Sequence, residues 1–328
     1  MANQLSTRGP RMDWSDRIGR RVKLRDIHIL LAVAKCKSMA KAAEHLAVSQ
    51  PVVSKVVADL EQRLGVRLLD RDRHGAEPTV YGLALLKRGV AAFDELRQGV
   101  EDIEFLRDPT QGELRVGCTD PVIGGLIARV IEQLSEQYPR IKFYVDSTTP
   151  VRFADYRGLH ERNIELFIGR IPHGIAHEDF DIEVLYDEPI VIAAGTNSRW
   201  AQRRRIKLVE LIDEPWVLPR PDSIPGGLIA DLFHASGLAV PQRGVECGSI
   251  QMNNSLLATG RFLAIYPGSL LQLSAKRLGI KLLPVELPFR STPVGVVTLK
   301  NRMASPIAKL FLDCAREVAK SLTDKLGQ

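Results

Sequence analysis

The sequence predicts a multidomain chain: an all-α segment with a short β-hairpin, a long helix, and then a two-lobed α/β domain. Three observations carry this. Residues 24–75 hold two short helical patterns almost back to back, then a charged run closed by glycine. Residues 79–107 hold one long helical pattern with apolar positions seven apart. From Glu113 onward, short apolar strands alternate with amphipathic helices, the signature of a largely parallel sheet with helices on its faces. At 328 residues, two or three units are expected.

The first segment is the most informative. A helix is expected over Met39–Leu46, opened by Ser38, a good N-cap. Ala47-Val48 follows, and Ser49-Gln50-Pro51 opens a second helix, with proline in the first turn where its missing N–H leaves nothing unpaired. This is the helix-turn-helix plan, whose second helix lies in the DNA major groove. Val52, Val56, Leu60 and Leu64 recur every four residues and are read as its buried stripe. Ser49, Gln50, Ser54 and Lys55 then lie off that stripe near the helix start, where base-reading side chains sit. Pattern alone leaves two readings open, base contacts or an ordinary solvated face.

After Gly65, Val66–Leu69 reads as a strand, Asp70–Gly75 as a charged turn, and Ala76–Thr79 as the return of a hairpin. Beside a helix-turn-helix this is a wing. Arg71 and Arg73 are either phosphate contacts or partners of Asp70 and Asp72.

Charge distribution agrees with a nucleic-acid partner. Residues 1–75 carry 15 Lys+Arg against 8 Asp+Glu, a net of +7, and the rest carries 30 against 31, a net of −1, so the whole basic excess lies in the first segment. Residues 1–21 read as a polar extension without an apolar signal core. No run of about 18 apolar residues is present, so no membrane span is expected. Four scattered cysteines, Cys36, Cys118, Cys247 and Cys314, have no metal-ligand spacing. Free thiols, a cytoplasmic location and no metal or cofactor are the expectation. His173 and His177 stand four apart, but Pro172 and Gly174 put them in a loop without a third ligand. No G-x-S-x-G, Walker A or G-x-G-x-x-G is present, and an enzyme is not expected.

Thr79 reads as the N-cap of the long helix, to about Arg107. Leu86, Phe93 and Val100 repeat every seven residues, and Leu96 and Ile103 stand three beyond members of that series. This is a seam that pairs helices, hence a dimer reading inverted half-sites. Asp108–Gly112 reads as a linker.

In the α/β part, strands are expected at Glu113–Cys118, Ile141–Val145 and Ile164–Ile168, and helices at Val122–Gln137 and near Val151–His160. A second unit holds strands at Trp216–Leu218, Gly244–Cys247 and Phe262–Pro267, with helices from Gly227 and after Ser249. Strands Ile280–Leu283 and Val294–Leu299 and a helix Pro306–Leu322 are expected to rejoin the first unit, leaving two lobes around a cleft. Ligands in open α/β sheets sit beyond the carboxyl ends of the strands. Here those ends are Cys118-Thr119-Asp120, Ser147-Thr148-Thr149 and Gly169-Arg170.

The run MAKAAEHLAVSQPVVSKVVADLEQRLGVRLLDR at 39–71, Pro-Thr-x-x-Gly at 78–82, GELRVG at 112–117, QYP at 137–139 and ATGRFLAIYP at 258–267 resemble LysR-type transcriptional regulators. The resemblance covers roughly residues 22–322. It implies a winged helix-turn-helix over 22–80, a linker helix and hinge over 81–111, and a periplasmic-binding-protein-like effector domain over 112–322. Lobe I would be 112–192 with 268–322, and lobe II 193–267. It implies homodimers and commonly homotetramers, double-stranded DNA with an inverted repeat, a small effector between the lobes, and RNA polymerase as a further partner. A branch controlling sugar or aromatic-acid catabolism is the reading favoured. Met39 and Leu69 stand where aromatic residues are frequent, and Pro78 where leucine is usual.

Carried over by position, the DNA contacts are Ser49, Gln50, Pro51, Ser54, Lys55 and Arg73. The effector contacts are Thr119, Asp120, Ser147, Thr148, Arg170, Ser223, Ser249, Gln251 and Tyr266. Thr119 and Ser249 precede helices whose N-termini attract anions, which suits a carboxylate held by Arg170. Asp120 argues for a hydroxyl-rich or cationic ligand, and an Arg170–Asp120 structural pair is the other reading. The alternative function is a solute-binding protein with no specific DNA role.

Overall fold

The computed structural model describes residues 22–72, 75–147, 156–171, 178–270, 278–288 and 291–326. The chain forms two compact units, 1–99 and 100–328. In the first, α1 is Leu24–Cys36, α2 Met39–His45 and α3 Gln50–Leu64; β1 is Leu69–Asp72 and β2 Gly75–Pro78; α4, Val80–Arg107, begins here. The Ser38 hydroxyl caps α2 by accepting from Lys41 N–H at 3.4 Å. Gly65 ends α3 at φ 71°, a left-handed position that glycine adopts freely.

The buried stripe of α3 keeps Leu60 of the expected set, but its valines lie one residue along. Val53, Val57 and Leu60 are fully buried with Leu30, Val33, Ala42 and Ala43, whereas Val52 and Leu64 are 36% and 40% exposed. Valines at 52, 53, 56 and 57 offer two adjacent apolar stripes, and packing on α1 and α2 selects one.

The wing is also shifted. Residues 70–72, expected in the turn, are strand and pair antiparallel with Glu77, Ala76 and Gly75. Arg67 and Leu68 are instead held outside the strand, because their carbonyls accept from Thr79: its hydroxyl at 2.7 Å and its N–H at 2.9 Å. The Thr79 hydroxyl also accepts from Gly82 N–H at 3.1 Å and so caps α4.

The expected α4 seam divides. Leu86 is buried in the core of its own unit, a Cβ on Gly89 would meet Ile27 Cγ2 at 2.5 Å, and the Phe93 ring lies 5.6 Å from His28. These positions pack on α1. Leu96, Val100 and Ile103 are exposed, as is Leu106.

The second unit runs β3 (Gln111–Cys118), α5 (Asp120–Val122), a π-helical turn (Ile123–Ile127), α6 (Ala128–Gln137), β4 (Arg140–Ser147), α7 (Arg157–His160), β5 (Leu166–Arg170) and β6 (Phe180–Gly195). Then come a 3-10 turn (Leu208–Leu211), β7 (Trp216–Leu218), α8 (Ile224–Ala235), β8 (Gly244–Glu246), α9 (Ile250–Ala258), β9 (Leu263–Pro267), β10 (Ile280–Leu282), β11 (Ser291–Leu299) and α10 (Pro306–Leu326). The strand order is β4-β3-β5-β11-β6-β9-β7-β8, with β10 also on β6.

Three expectations are corrected here. The sheet is mixed: β3, β4 and β5 are parallel, as are β7, β8 and β9, but β6 and β11 run antiparallel to their neighbours. The sequence reading placed no element between Arg170 and Thr196, yet β6 fills most of that gap. Its first part pairs with β11 and its last six residues with β9 and β10, so one strand passes through both lobes. Asp187, Glu188 and Pro189 interrupt its apolar pattern where it changes partners. Finally, β10 pairs with Ala193–Gly195 on the second lobe instead of rejoining the first.

The helix expected at Val122–Gln137 starts earlier and carries the π turn, a feature common beside functional sites. Each lobe has its own core. Leu114, Val116, Leu126, Val130 and Phe311 centre the first. Ile192, Trp216, Leu232 and Phe233 centre the second, where Trp216 Nε1 donates to the Leu211 carbonyl at 2.9 Å.

Candidate functional site

Two surfaces hold the expected functional residues. On α3, Ser49, Gln50, Pro51 and Lys55 are exposed and Ser54 is half-buried. Ser49 occupies the N-cap position, but its hydroxyl makes no capping bond. The sequence reading missed Val52, which stands outward among these polar groups. An outward valine in this position can touch a thymine methyl. Arg73 lies outside the described residues. Arg71 bonds neither Asp70 nor Asp72: its guanidinium donates to Glu61 Oε2 at 3.1 Å. Glu61 Oε1 accepts from the N–H groups of Leu68 and Leu69 at 2.8 and 3.1 Å, so this glutamate ties α3 to the wing.

The second surface is a cavity of 330 Å³ between the lobes of the second unit, within the usual range for a small-molecule pocket. Its walls are mainly apolar, with Val122, Tyr156, Phe167, Ile229, Ile250 and Val294. Tyr156 and Phe167 meet edge-on at 4.8 Å. Burial pushes the Tyr156 hydroxyl up to about 12, so it stays protonated. Of the carried-over set, Thr119, Arg170 and Ser223 line the cavity. Ser223 caps α8, accepting from Gly226 N–H at 3.2 Å.

The other carried-over residues stand elsewhere. Asp120 does not pair with Arg170. Its Oδ1 accepts from the Ser147 hydroxyl at 3.4 Å and its Oδ2 from Ile250 N–H at 3.2 Å. Ser249 caps α9 by accepting from Met252 N–H at 3.4 Å, and Gln251 points to solvent. Tyr266 is fully buried and donates to Asn254 Oδ1, bracing α9 from behind. Thr148 lies outside the described residues. Cys247, expected near the cleft, lines the cavity, and so do two residues missed in sequence, Glu188 and Asn253. Nothing local marks them, because each is brought there by the crossing strand or by α9.

The electrostatics centre on Arg170. Burial lowers its pKa, an effect that the negative charge of Glu188 opposes. Glu188 is only 3% exposed and is already held by Ser269 N–H at 2.9 Å, the Ser269 hydroxyl at 2.5 Å and the Tyr186 hydroxyl at 3.0 Å. Among the described residues, the Arg170 guanidinium has no hydrogen bond or ion pair. A desolvated fork of donors facing a cavity is a site for an anion, above all a carboxylate.

Cys118 is buried beneath this region, and burial with nearby Asp120 and Asp146 pushes its thiol up to about 12. It is therefore a poor nucleophile near neutral pH. No group of His, Cys, Asp and Glu able to hold a metal is present among the described residues. No described helix is long and apolar enough to cross a membrane.

Comparison with known proteins matches both parts of the chain. Residues 24–83 match the bacterial regulatory helix-turn-helix protein, lysR family, and residues 107–320 match the LysR substrate binding domain. The chain is 26% identical over 297 residues to the HTH-type transcriptional regulator GbpR of Azospirillum brasilense, covering 90% of this chain and 86% of that protein. It is 26% identical over 309 residues to the regulator PcaQ of Agrobacterium fabrum, covering 94% and 98%. In fold it is similar to the crystal structure of CbnR, a LysR family transcriptional regulator. That match has a TM-score of 0.60 at 22% identity, covering 91% of this chain and 99% of that one.

Proposed function

The chain belongs to the LysR family of bacterial helix-turn-helix transcriptional regulators, and on that premise we propose how its own residues read DNA and sense an effector. In this reading a dimer sets two copies of α3 into successive major grooves of an inverted repeat. Gln50 reads an adenine edge, Ser49, Ser54 and Lys55 contact bases and phosphates, and Val52 packs on a thymine methyl. A small carboxylate enters the cavity, is held by Arg170, and shifts the balance between lobe arrangements, and with it the response at the promoter and its RNA polymerase.

The observation that carries the effector reading is the desolvated Arg170 guanidinium, which lines the cavity with no hydrogen-bond partner among the described residues. The test is selection of bound sequences from random DNA by the purified protein at physiological salt, repeated with candidate carboxylates. An inverted repeat whose occupancy responds to an acid supports the reading. Sequence-blind, salt-sensitive binding alone would overturn it.

Two substitutions refine it. Gln50→Ala is expected to lose roughly 1–3 kcal/mol at the selected site and to relax sequence choice there. Equal losses on selected and random DNA, measured by fluorescence anisotropy, would remove Gln50 from base reading. Leu96 is exposed within its own unit, so Leu96→Asp is expected to leave the folded monomer intact. In sedimentation it should weaken the dimer roughly tenfold or more, because a charge enters an apolar seam. Unchanged dimers would exclude this face of α4 from the interface.

A further inference from the structure

Asp120 makes a contact that runs from one lobe to the other. Its Oδ2 accepts from the N–H of Ile250, the first residue of α9, at 3.2 Å, while its Oδ1 accepts from the Ser147 hydroxyl at 3.4 Å. The two partners belong to elements that share no sheet pairing with each other, since Asp120 opens the short α5 after β3 and Ile250 opens α9 after β8. The start of a helix has unpaired N–H groups and the positive end of its dipole, so it draws a negative group. At α9 the chain supplies that group itself.

A second observation points to a ligand on the same wall. Asn253, one turn further along α9, lines the cavity, is 8% exposed, and its Oδ1 has no hydrogen-bond partner among the described residues. A buried acceptor left unpaired is unfavourable and is relieved by any ligand that brings a donor to it. Arg170 supplies a charged fork of donors to the cavity lining and Asn253 an acceptor, among aromatic and aliphatic side chains.

From this arrangement we infer that the cleft selects a small apolar monocarboxylate that also carries a hydrogen-bond donor, a hydroxy or amino acid. Its carboxylate goes to Arg170 and its donor to Asn253. Asp120 is the specificity-determining residue that keeps a second carboxylate away from α9. This rests on the reading of the cavity as the effector site. A dicarboxylate of similar length is rejected at the α9 side of the cavity, where the Asp120 carboxylate already holds the N–H of the lining residue Ile250 and would repel a second charge.

The test is calorimetric titration of the full chain with 4-hydroxybenzoate, benzoate and terephthalate, which share one ring and differ only at the far end. The aromatic edges of Tyr156 and Phe167 make a single ring a suitable probe. The wild type is expected to prefer 4-hydroxybenzoate over benzoate roughly fivefold, the worth of one neutral hydrogen bond. Terephthalate should bind roughly tenfold weaker than benzoate or worse. Asp120→Asn should raise terephthalate affinity roughly tenfold and leave the ratio of the other two unchanged. Asn253→Ala should abolish the preference for the hydroxyl and leave benzoate unaffected.

Equal wild-type affinities for terephthalate and 4-hydroxybenzoate would overturn the inference, as would an Asp120→Asn protein that still rejects the dicarboxylate. Should that variant not fold, Asp120→Ser supports the same comparison with a shorter neutral cap. Binding of none of the three probes, or binding that Arg170→Met leaves untouched, would fail the cavity as the effector site and the inference with it. Binding that needs Arg170 but ignores Asp120 and Asn253 would fail the inference alone.

Discussion

Arg170→Met is expected to lower the affinity of the cleft for a carboxylate roughly 100-fold, the worth of the two charge-assisted hydrogen bonds of a bidentate pair. The protein alone leaves the charges of the cavity unevenly paired. Arg170 is desolvated, and the carboxylate nearest in effect, Glu188, is already occupied by Ser269 and Tyr186. The guanidinium therefore has its whole fork to offer. Arg170→Lys keeps the charge but not the planar fork, and should lose roughly tenfold. Gln251→Ala is the control, since Gln251 is exposed and does not line the cavity. Calorimetry with 4-hydroxybenzoate checks all three. Full affinity in Arg170→Met would place the carboxylate elsewhere.

Gly82→Ala is expected to destabilise the first unit by about 3 kcal/mol, as overpacking against backbone does at its upper range. A Cβ at Gly82 would lie 2.0 Å from the Leu68 carbonyl oxygen and 3.3 Å from Pro78 Cβ. That same oxygen accepts from Thr79 N–H, so it cannot move without releasing the cap of α4 and the end of the wing together. This is the physical content of the Pro-Thr-x-x-Gly motif at 78–82. Gly99→Ala, on the same helix, meets nothing within 4 Å. It should stabilise by up to about 1 kcal/mol through helix propensity. Thermal unfolding followed by circular dichroism separates the two. Gly82→Ala should lower the midpoint of its unit by more than about 10 °C. An unchanged midpoint would mean that Gly82 and Leu68 do not approach so closely.

The partition between sequence and structure follows the reach of each interaction. Helix starts were legible because their determinants are local. Ser38, Ser223, Ser249 and Thr79 each cap a helix through a residue three positions on. The helix-turn-helix, the long α4 and the alternation of strands and helices follow from such signals and from apolar spacing. The family motifs draw on the same local stretches.

What failed in sequence depended on partners far along the chain. Two apolar stripes on α3 were equally good by spacing, and only packing on α1 and α2 decided that Val52 faces outward. The α4 heptads read as one seam, yet α1 took Leu86, Gly89 and Phe93 and left Leu96, Val100 and Ile103 exposed. Strand β6 was hidden because its charged middle is stabilised by a neighbouring strand about 110 residues later, through pairs such as Asp187 with Pro293.

The cavity divides in the same way. Thr119, Arg170 and Ser223 stand at the ends of elements that the sequence announces, so they could be named in advance. Glu188 and Asn253 reach the cavity only because one strand crosses both lobes and α9 closes the opposite wall. Local propensity and spacing thus determined most of the elements, and the resemblance of the motifs gave the kind of protein this is. Only tertiary structure decided which side chains share the cavity, since long-range pairing sets which face each element turns to it. The same packing sent the Asp120 carboxylate to Ile250 and left Arg170 with no hydrogen-bond partner among the described residues.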